Sequence, residues 1–329
     1  MSDKLSVGFI GTGNIARSHM EAIKALEQIE IAAVMDVDMN RAQAAAEEYG
    51  GRACAGLDEL LADESVQAVH VCTPHNQHVD QVVAAAQAGK HVLVEKPMAL
   101  TLAGCDRMIA ASKEAGKLLM VGQVLRYWPI YRKVREMVRA GKIGAVGHQM
   151  RRRYSRFNPG EGHWYLDPEE GGNCVLHAFG PHEYDVLHWM IDSPVAQVYA
   201  RGTESAERLA GQCDSYSALM THANGAVSML SQTVSCHSGA WDQHVVGSLG
   251  SMFITSQKLM VDGEEVEVEG VAADGMRNQV AEFADCCLKR ETPDASGESV
   301  RHTMAMIEAV QLSSARGEVV ELAELDPEE

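Results

Sequence analysis

The stretch LSVGFIGTGNIARSHMEAIKAL, residues 5–26, decides the fold of this chain. It begins with a short run of β-branched and aromatic residues, which favours a strand, and passes through a glycine-rich turn. Beyond the turn, apolar side chains recur roughly at the spacing of one helix face, at Ile15, Met20, Ile23 and Leu26. The stretch therefore predicts a strand, a tight turn and a helix in succession.

The same alternation of strand and helix continues to about residue 122. It implies right-handed crossovers and a parallel sheet with helices on both faces, so we expect a doubly wound α/β domain over residues 1–122. Strand-like runs then dominate, with an Asn-Gly pair at 224–225 and an Asp-Gly pair at 262–263 as strong hairpin turns. We expect residues 123–329 to form one α+β domain on a large, mostly antiparallel sheet with an open face.

The composition excludes several classes of partner. The chain carries 46 acidic residues against 28 lysines and arginines, a formal charge of −18, which repels nucleic acids and anionic lipid surfaces. It has no apolar run of membrane-spanning length and no leader typical of secretion, and its eight cysteines show no CxxC spacing. We expect a cytoplasmic protein that binds neither nucleic acid nor membrane.

The turn after the first strand has the spacing GxGxxA, formed by Gly11, Gly13 and Ala16. Such a turn lets the backbone approach a pyrophosphate at the start of the helix, and Asp36, after the second strand, can accept both ribose hydroxyls of NAD. Because a carboxylate repels the extra phosphate of NADP, we expect NAD, and we expect Arg41 to be a solvated helix residue. The candidate cofactor contacts here are Gly11, Gly13, Asn14, Ile15 and Asp36.

Two further motifs, TP at 73–74 and EKP at 95–97, follow predicted parallel strands, at the sheet edge where doubly wound folds bind ligands. Together with GTGNIA, AGKHVLVEKP, RYWPIYRKVREMVRAGKIG and GPHEYDVLHWM, they make the chain resemble the Gfo/Idh/MocA oxidoreductase family over nearly its whole length. The resemblance implies an N-terminal Rossmann domain and a sugar, inositol or related polyol as substrate. It also implies a homodimer or homotetramer formed through the open sheet.

By this resemblance Lys96 is a catalytic residue and Pro97 follows a cis peptide bond. Next to the positive charge of a nicotinamide the pKa of a lysine is lowered, so that it can take or polarise the proton of a substrate hydroxyl. The resemblance extends the cofactor contacts to Thr73, Pro74, His78, Glu95, Lys96 and Gln123.

The segment EEGGNCVLHAFGPHEYDVLHWMID, residues 169–192, matches the family's His and following Asp at His182 and Asp185. Ala178 stands where the family has an earlier Asp. Three readings are open. His182 acts as acid and base with His177 or Asp185 as its orienting partner; or His177 and His182, with His163 or Asp185, bind a metal such as Zn²⁺; or His177 is only a packed or solvated side chain.

The most direct expectation is an NAD-dependent dehydrogenase of a secondary hydroxyl, with Lys96 and His182 in proton transfer. Substrate contacts are expected from Asp185, His177, Arg126 and Tyr127, without a metal. Two alternatives are a redox-neutral lyase or glycosidase that works through a transient keto-sugar, for which Ala178 is the motive, and a non-catalytic sensor of sugar and NAD.

Overall fold

A computed structural model describes residues 4–160, 162–205, 209 and 211–325. These residues divide into two compact units. The first unit takes the chain up to residue 124 together with residues 275–301, and the second takes residues 125–274 and the chain from residue 302 onward. The expected boundary at 122 lies close to residue 124, where the chain first passes from the first unit to the second. The second unit is interrupted by residues 275–301, in contrast to the expected continuous domain over 123–329.

The first unit is built on a six-stranded parallel sheet in the order β3-β2-β1-β4-β5-β6. This order confirms the doubly wound Rossmann fold. Of the strands, only β3, which has three residues, was not predicted. The strands are β1 (Leu5–Ile10), β2 (Ile29–Met35), β3 (Arg52–Cys54), β4 (Ala68–Val71), β5 (His91–Val94) and β6 (Leu119–Val121), and the helices between them are α1 (Asn14–Lys24), α2 (Met39–Tyr49), α3 (Leu57–Ala62), α4 (His78–Gln87) and α5 (Leu102–Glu114).

The second unit has a nine-stranded sheet in the order β14-β13-β12-β11-β7-β10-β9-β8-β15, in which only β7 and β10 pair in parallel. Both predicted hairpin turns are present, with positive φ at Gly225, Asp262 and Gly263. The helices are α6 (Pro129–Arg139) and α7 (Gly180–Met190), and the strands are β7 (Val146–Arg156), β8 (Val195–Thr203), β9 (Ser215–His222), β10 (Val227–Thr233), β11 (Ser235–Gly247), β12 (Ser251–Thr255), β13 (Leu259–Val261), β14 (Glu264–Val266) and β15 (Val320–Glu321).

One face of this sheet packs on helices, and the described residues that form a row on the other face are exposed or partly exposed. Val134 of α6 and Met190 of α7 belong to the same buried cluster as Val245 and Ile254 of the sheet. Residues that point the other way form a row in register across six strands. This open-face row consists of Tyr199, Leu219, Met229, Met150, His244 and Phe253, and confirms that the sheet is open on one side.

Residues 275–301 return to the first unit through α8 (Asp274–Lys289) and the start of α9 (Gly297–Arg316). The Phe283 ring meets the ring of His70 edge-on at 5.3 Å, and the backbone N–H of Val121 donates to the carbonyl of Ala295 at 2.9 Å. The unit that these helices join is set by contacts between residues far apart in the chain. No helix in the described ranges is both long and apolar enough to span a bilayer.

Candidate active site

The glycine turn of the first unit has the geometry of an anion site. Gly11 has φ +89°, and a Cβ there would lie 2.6 Å from the carbonyl oxygen of Cys72, so only glycine fits. Gly13 is the N-cap of α1; no side chain caps the helix, and a Cβ at Gly13 would meet nothing within 4 Å. The first amides of α1, at the exposed residues Asn14 and Ile15, therefore suit a pyrophosphate.

Asp36, directly after β2, has both carboxylate oxygens engaged. Oδ2 accepts from the backbone N–H and the hydroxyl of Thr12, each at 2.9 Å, and Oδ1 accepts from the Asp38 N–H and from Arg41, each at 3.1 Å. Burial raises the pKa of Asp36, but these hydrogen bonds outweigh it, and the pKa lies below its ordinary value. Arg41 is exposed, as expected, yet it is also the partner of Asp36.

Lys96 stands at the carboxyl end of β5, and the Lys96–Pro97 peptide bond is cis, which confirms the expectation from the resemblance. The lysine is half-buried. Burial lowers its pKa, and the neighbouring Glu95 opposes this in part. The carboxylate of Glu95 accepts hydrogen bonds from Nε2 of His19 at 2.9 Å and from the backbone N–H of Lys96 at 3.1 Å. The segment thus presents an amine that loses its proton more readily than an ordinary lysine.

His78, expected as a cofactor contact, is fully buried. Its Nδ1 lies 2.9 Å from the carbonyl oxygen of Pro97 and its Nε2 lies 3.0 Å from that of Thr73. The imidazole therefore links the segments that follow β4 and β5, and it positions Thr73 and Lys96 from behind instead of touching a ligand. Gln123, after β6, is only 1% exposed.

In the second unit a single turn of π-helix, Cys174–Phe179, runs directly into α7. Asn173 caps this turn through its side chain, and its backbone N–H donates to Nδ1 of His177 at 3.0 Å, which places the proton of the neutral imidazole on Nε2. The π-helical turn contains both His177 and Ala178, whereas His182 lies in the first turn of α7. His177 is buried and His182 is partly exposed.

Asp185 and Arg126, both expected to contact substrate, bind each other. Nε and Nη2 of Arg126 donate to the two carboxylate oxygens at 2.7 Å, the hydroxyl of Thr303 donates to Oδ1 at 2.7 Å, and neither partner is exposed. Burial raises the pKa of Asp185, but the charge and hydrogen bonds of Arg126, and a weaker contact from His188, hold it well below its usual range. Neither side chain is exposed to a ligand in this arrangement, and the pair supports α7.

Tyr127, the remaining expected substrate contact, is fully buried, and the guanidinium of Arg132 lies over its ring at 4.8 Å. Sequence reasoning passed over His19 and His70, whose Nδ1 atoms lie 3.0 Å apart next to Glu95. A signal for His70 was present, since it interrupts the apolar run AVHV of a parallel strand that is buried on both faces.

Within the described residues no three His, Cys, Asp or Glu side chains cluster so that they could hold a metal ion. His163 accepts a hydrogen bond from the backbone N–H of Tyr165 through Nδ1 at 3.2 Å. The zinc reading of His177 and His182 therefore has no ligand set in this part of the chain.

Comparison with known proteins agrees with the fold. Residues 5–123 match the model of an oxidoreductase family with an NAD-binding Rossmann fold, and residues 131–253 match the GFO/IDH/MocA C-terminal domain. The chain is 30% identical to a myo-inositol 2-dehydrogenase of Thermotoga maritima over 76% of this chain and 75% of that protein. It is 27% identical to a 1,5-anhydro-D-fructose reductase of Ensifer adhaerens over 96% of this chain and 98% of that protein.

Among solved structures, the aldose-aldose oxidoreductase of Caulobacter crescentus superposes with a TM-score of 0.89 at 24% identity, over 97% of this chain and 99% of that one. This likeness bears on the fold alone. The family is shown by the two domain matches and by the extent of the inositol dehydrogenase alignment. The chain belongs to the Gfo/Idh/MocA family of NAD-binding oxidoreductases.

Proposed function

We propose that this protein is an NAD-dependent dehydrogenase that transfers a hydride between a secondary hydroxyl of a sugar, inositol or related polyol and the nicotinamide. The observation that carries the proposal is the half-buried Lys96, whose pKa is lowered, at the carboxyl end of β5. It belongs to the same unit as the uncapped glycine turn and Asp36. The names of the inositol and anhydro-sugar relatives support this substrate class.

Oxidation of a secondary alcohol removes a hydride from carbon and a proton from oxygen. NAD, when bound, supplies the acceptor for the hydride. The neutral amine of Lys96 accepts the hydroxyl proton in this direction, and its ammonium returns the proton in reduction. Because burial lowers the pKa of Lys96, a larger share of the side chain is neutral at a given pH than for a surface lysine.

We propose His182, in α7, as a second acid–base group. Its proposed orienting partner is His177, which lies in the π-helical turn that runs directly into α7. The Asn173 N–H holds the tautomer of His177, as a fixed hydrogen bond does for histidines in catalytic pairs. In this proposal Asp185 and Arg126 stabilise α7, and the substrate hydroxyls are bound by other groups.

We propose NAD as the preferred cofactor because Asp36 is held in its ionised form at the end of β2. The 2′-phosphate of NADP would meet this carboxylate. Arg41 does not cancel the preference, since its guanidinium is already paired with Asp36 and lies near Asp38.

The proposal is tested by incubating the protein with NAD and a panel of inositols, sugars and glycosides while measuring both NADH absorbance and sugar products. NADH formed in proportion to the substrate consumed is the expected result. Product formed without NADH would replace the proposal with the redox-neutral lyase or glycosidase. NAD binding without turnover of any panel member would favour the sensor.

Replacing Lys96→Met should remove the proton acceptor and leave the dinucleotide contacts in place. We expect kcat to fall at least about 100-fold while the Kd for NAD changes less than about threefold, as is usual when a general base is lost. Steady-state kinetics and a binding titration measure both quantities. Lys113→Met, on the exposed face of α5, is the matched control and should turn over normally. Undiminished turnover by Lys96→Met would remove Lys96 from the mechanism.

A further inference from the structure

Three buried polar side chains form a hydrogen-bonded chain in the first unit. Nδ1 of His70, on β4, lies 3.0 Å from Nδ1 of His19, on α1. Nε2 of His19 lies 2.9 Å from Oε1 of Glu95, which directly precedes Lys96. Both histidines are 0% exposed and Glu95 is 6% exposed. The chain therefore starts in the sheet and ends at the residue next to the proposed catalytic lysine.

The proton positions follow from the two ends of this hydrogen-bonded chain of three side chains. At one end, the Glu95 carboxylate requires Nε2 of His19 to carry a proton, and an imidazole with its single proton on Nε2 accepts at Nδ1. Nδ1 of His70 must then donate to it, which leaves Nε2 of His70 as a lone pair. At the other end, Nε2 of His70 is buried and has no hydrogen-bond partner among the described residues. An unpartnered acceptor is the outcome that this arrangement gives.

The opposite arrangement is more costly. If a proton moved to Glu95, its hydroxyl would donate to His19, His19 would donate to His70, and Nε2 of His70 would become a buried N–H without an acceptor. Desolvating an unpaired donor costs free energy, and nothing at this end of the chain compensates for it. The missing partner of His70 therefore favours the ionised form of Glu95.

The surroundings fix the three side chains in place. The His70 ring stacks on Phe9 with 4.6 Å between centroids and meets Phe283 edge-on. Gly122, after β6, gives the carboxylate its space, because a Cβ there would lie 2.6 Å from Oε1 of Glu95. Burial, and then the neighbouring His19, hold the pKa of His70 well below its usual range, so His70 is neutral.

We propose that His19 and His70 are positioning residues that keep Glu95 ionised and fixed beside Lys96, and so control the charge that the catalytic amine meets. The inference rests on the proposed function of Lys96. Neither histidine contacts substrate in this scheme. They act through Glu95, as an outer hydrogen-bond partner orients a catalytic group in other enzymes.

Several titratable groups face Glu95 and Lys96, and they set the sign of the effect. From β4 comes His70, and directly after this strand comes Cys72, a thiol whose pKa is raised by burial and then by Glu95. From α1 comes His19, and from α4 His78, whose pKa is lowered by burial. Ionised Glu95 raises the pKa of Lys96 against the effect of burial. If Glu95 lost its donor and took up a proton, the pKa of Lys96 would fall.

The test uses two matched pairs of variants in the full-length protein. His19→Gln keeps an N–H near the position of Nε2, whereas His19→Leu removes it. His70→Asn keeps an N–H near the position of Nδ1, whereas His70→Leu fills the same space without a donor. Thermal unfolding and NAD binding establish that each variant is folded.

Two measurements report the charge on Lys96. One is the pH dependence of kcat; the other, independent of activity, is the titration of Lys96 by ¹³C NMR after reductive methylation, with the signal assigned by its loss in Lys96→Met. We expect His19→Leu to lower the midpoint of both by roughly one pH unit. His70→Leu should lower it by less, and His19→Gln and His70→Asn should restore the midpoint of the unmodified protein.

Failure of this inference differs from failure of the proposed function. If all four variants kept the midpoint of the unmodified protein while Lys96→Met was inactive, the inference alone would be overturned. His70 would then be a packing residue. A lowered midpoint together with full turnover by Lys96→Met would uphold the charge control and overturn the catalytic role.

Discussion

Asp36 and Arg41 show how an ion pair within a site can make a charged side chain unavailable to a ligand. The guanidinium of Arg41 is 56% exposed and would suit the 2′-phosphate of NADP, but it donates to Oδ1 of Asp36 and lies near Asp38. A basic group close to the ribose site therefore does not by itself predict NADP. The pairing within the site decides which dinucleotide meets a free charge.

Asp36→Ala should reverse this preference. Loss of a charged acceptor weakens NAD binding by roughly 10- to 100-fold, and Arg41, without its partner, becomes available to a phosphate. Titration with NADH and NADPH measures both changes. The double variant Asp36→Ala/Arg41→Ala is the control, because it should lose the gain for NADPH. If Asp36→Ala bound NADH as tightly as the unmodified protein, Asp36 would have no role in cofactor choice.

Single residues were predictable where their signal is local. The spacing of Gly11 and Gly13 and the position of Lys96 before Pro97 are contained in a few consecutive letters. The pairing of Arg126 with Asp185 joins residues 59 apart, and that of His19 with Glu95 joins residues 76 apart. Because such partners are chosen by the fold, the sequence showed the residues but not that Asp185 would be occupied by Arg126.

At the scale of elements, turn chemistry was the reliable guide. Both hairpins were predicted because Asn-Gly and Asp-Gly pairs favour positive φ at fixed positions. The π-helical turn before α7 was not predicted, because an added residue in a helix leaves no composition signal. Its i→i+5 hydrogen bonds change which side chains of residues 174–179 share a face, which a spacing of 3.6 residues does not predict.

Histidines with lowered pKa values on four elements should make the free energy of unfolding depend on pH. Burial lowers the pKa of His70, His78, His188 and His222, on β4, α4, α7 and β9. The unfolded chain then binds more protons than the folded one, so the free energy of unfolding falls as the pH drops below the unfolded value of about 6.5. We expect urea unfolding to show lower stability at about pH 5.5 than at about pH 7.5.

His70→Leu isolates one of these contributions. It removes a fully buried group that must stay neutral, so the stability difference between the two pH values should shrink by about 1 kcal/mol. His237→Leu, at an exposed position of β11 outside the open-face row, should leave the difference unchanged. If His70→Leu and the unmodified protein lost the same stability between the two pH values, His70 would be protonated in the folded state.

For the whole molecule, the open-face row is the main exposed apolar feature of the second unit's sheet. Tyr199, Leu219 and Met229 are 38–46% exposed at adjacent register positions, on the face opposite the helices. A contiguous apolar patch on a chain with a charge of −18 is typical of an interaction surface. We propose a second copy of this chain as its partner, since two-fold pairing of identical sheets lets each row cover the other.

Met229→Asp should therefore convert the oligomer to monomer, because it places two carboxylates at the centre of the paired rows. Sedimentation at micromolar protein concentration measures the change. Leu288→Asp, at a similarly exposed site on α8 of the first unit, should leave the oligomer intact. A monomeric unmodified protein would contradict the proposal directly.

The return of residues 275–301 to the first unit has a consequence for biosynthesis. A ribosome must make β7 to β14 of the second unit before it supplies Phe283, which covers His70, and Ala295, which binds β6. The second unit in turn waits for residues beyond 301. Neither unit is complete in the nascent chain until α9 emerges, so both finish folding late, and a chain halted before residue 275 would leave part of the first core open to water.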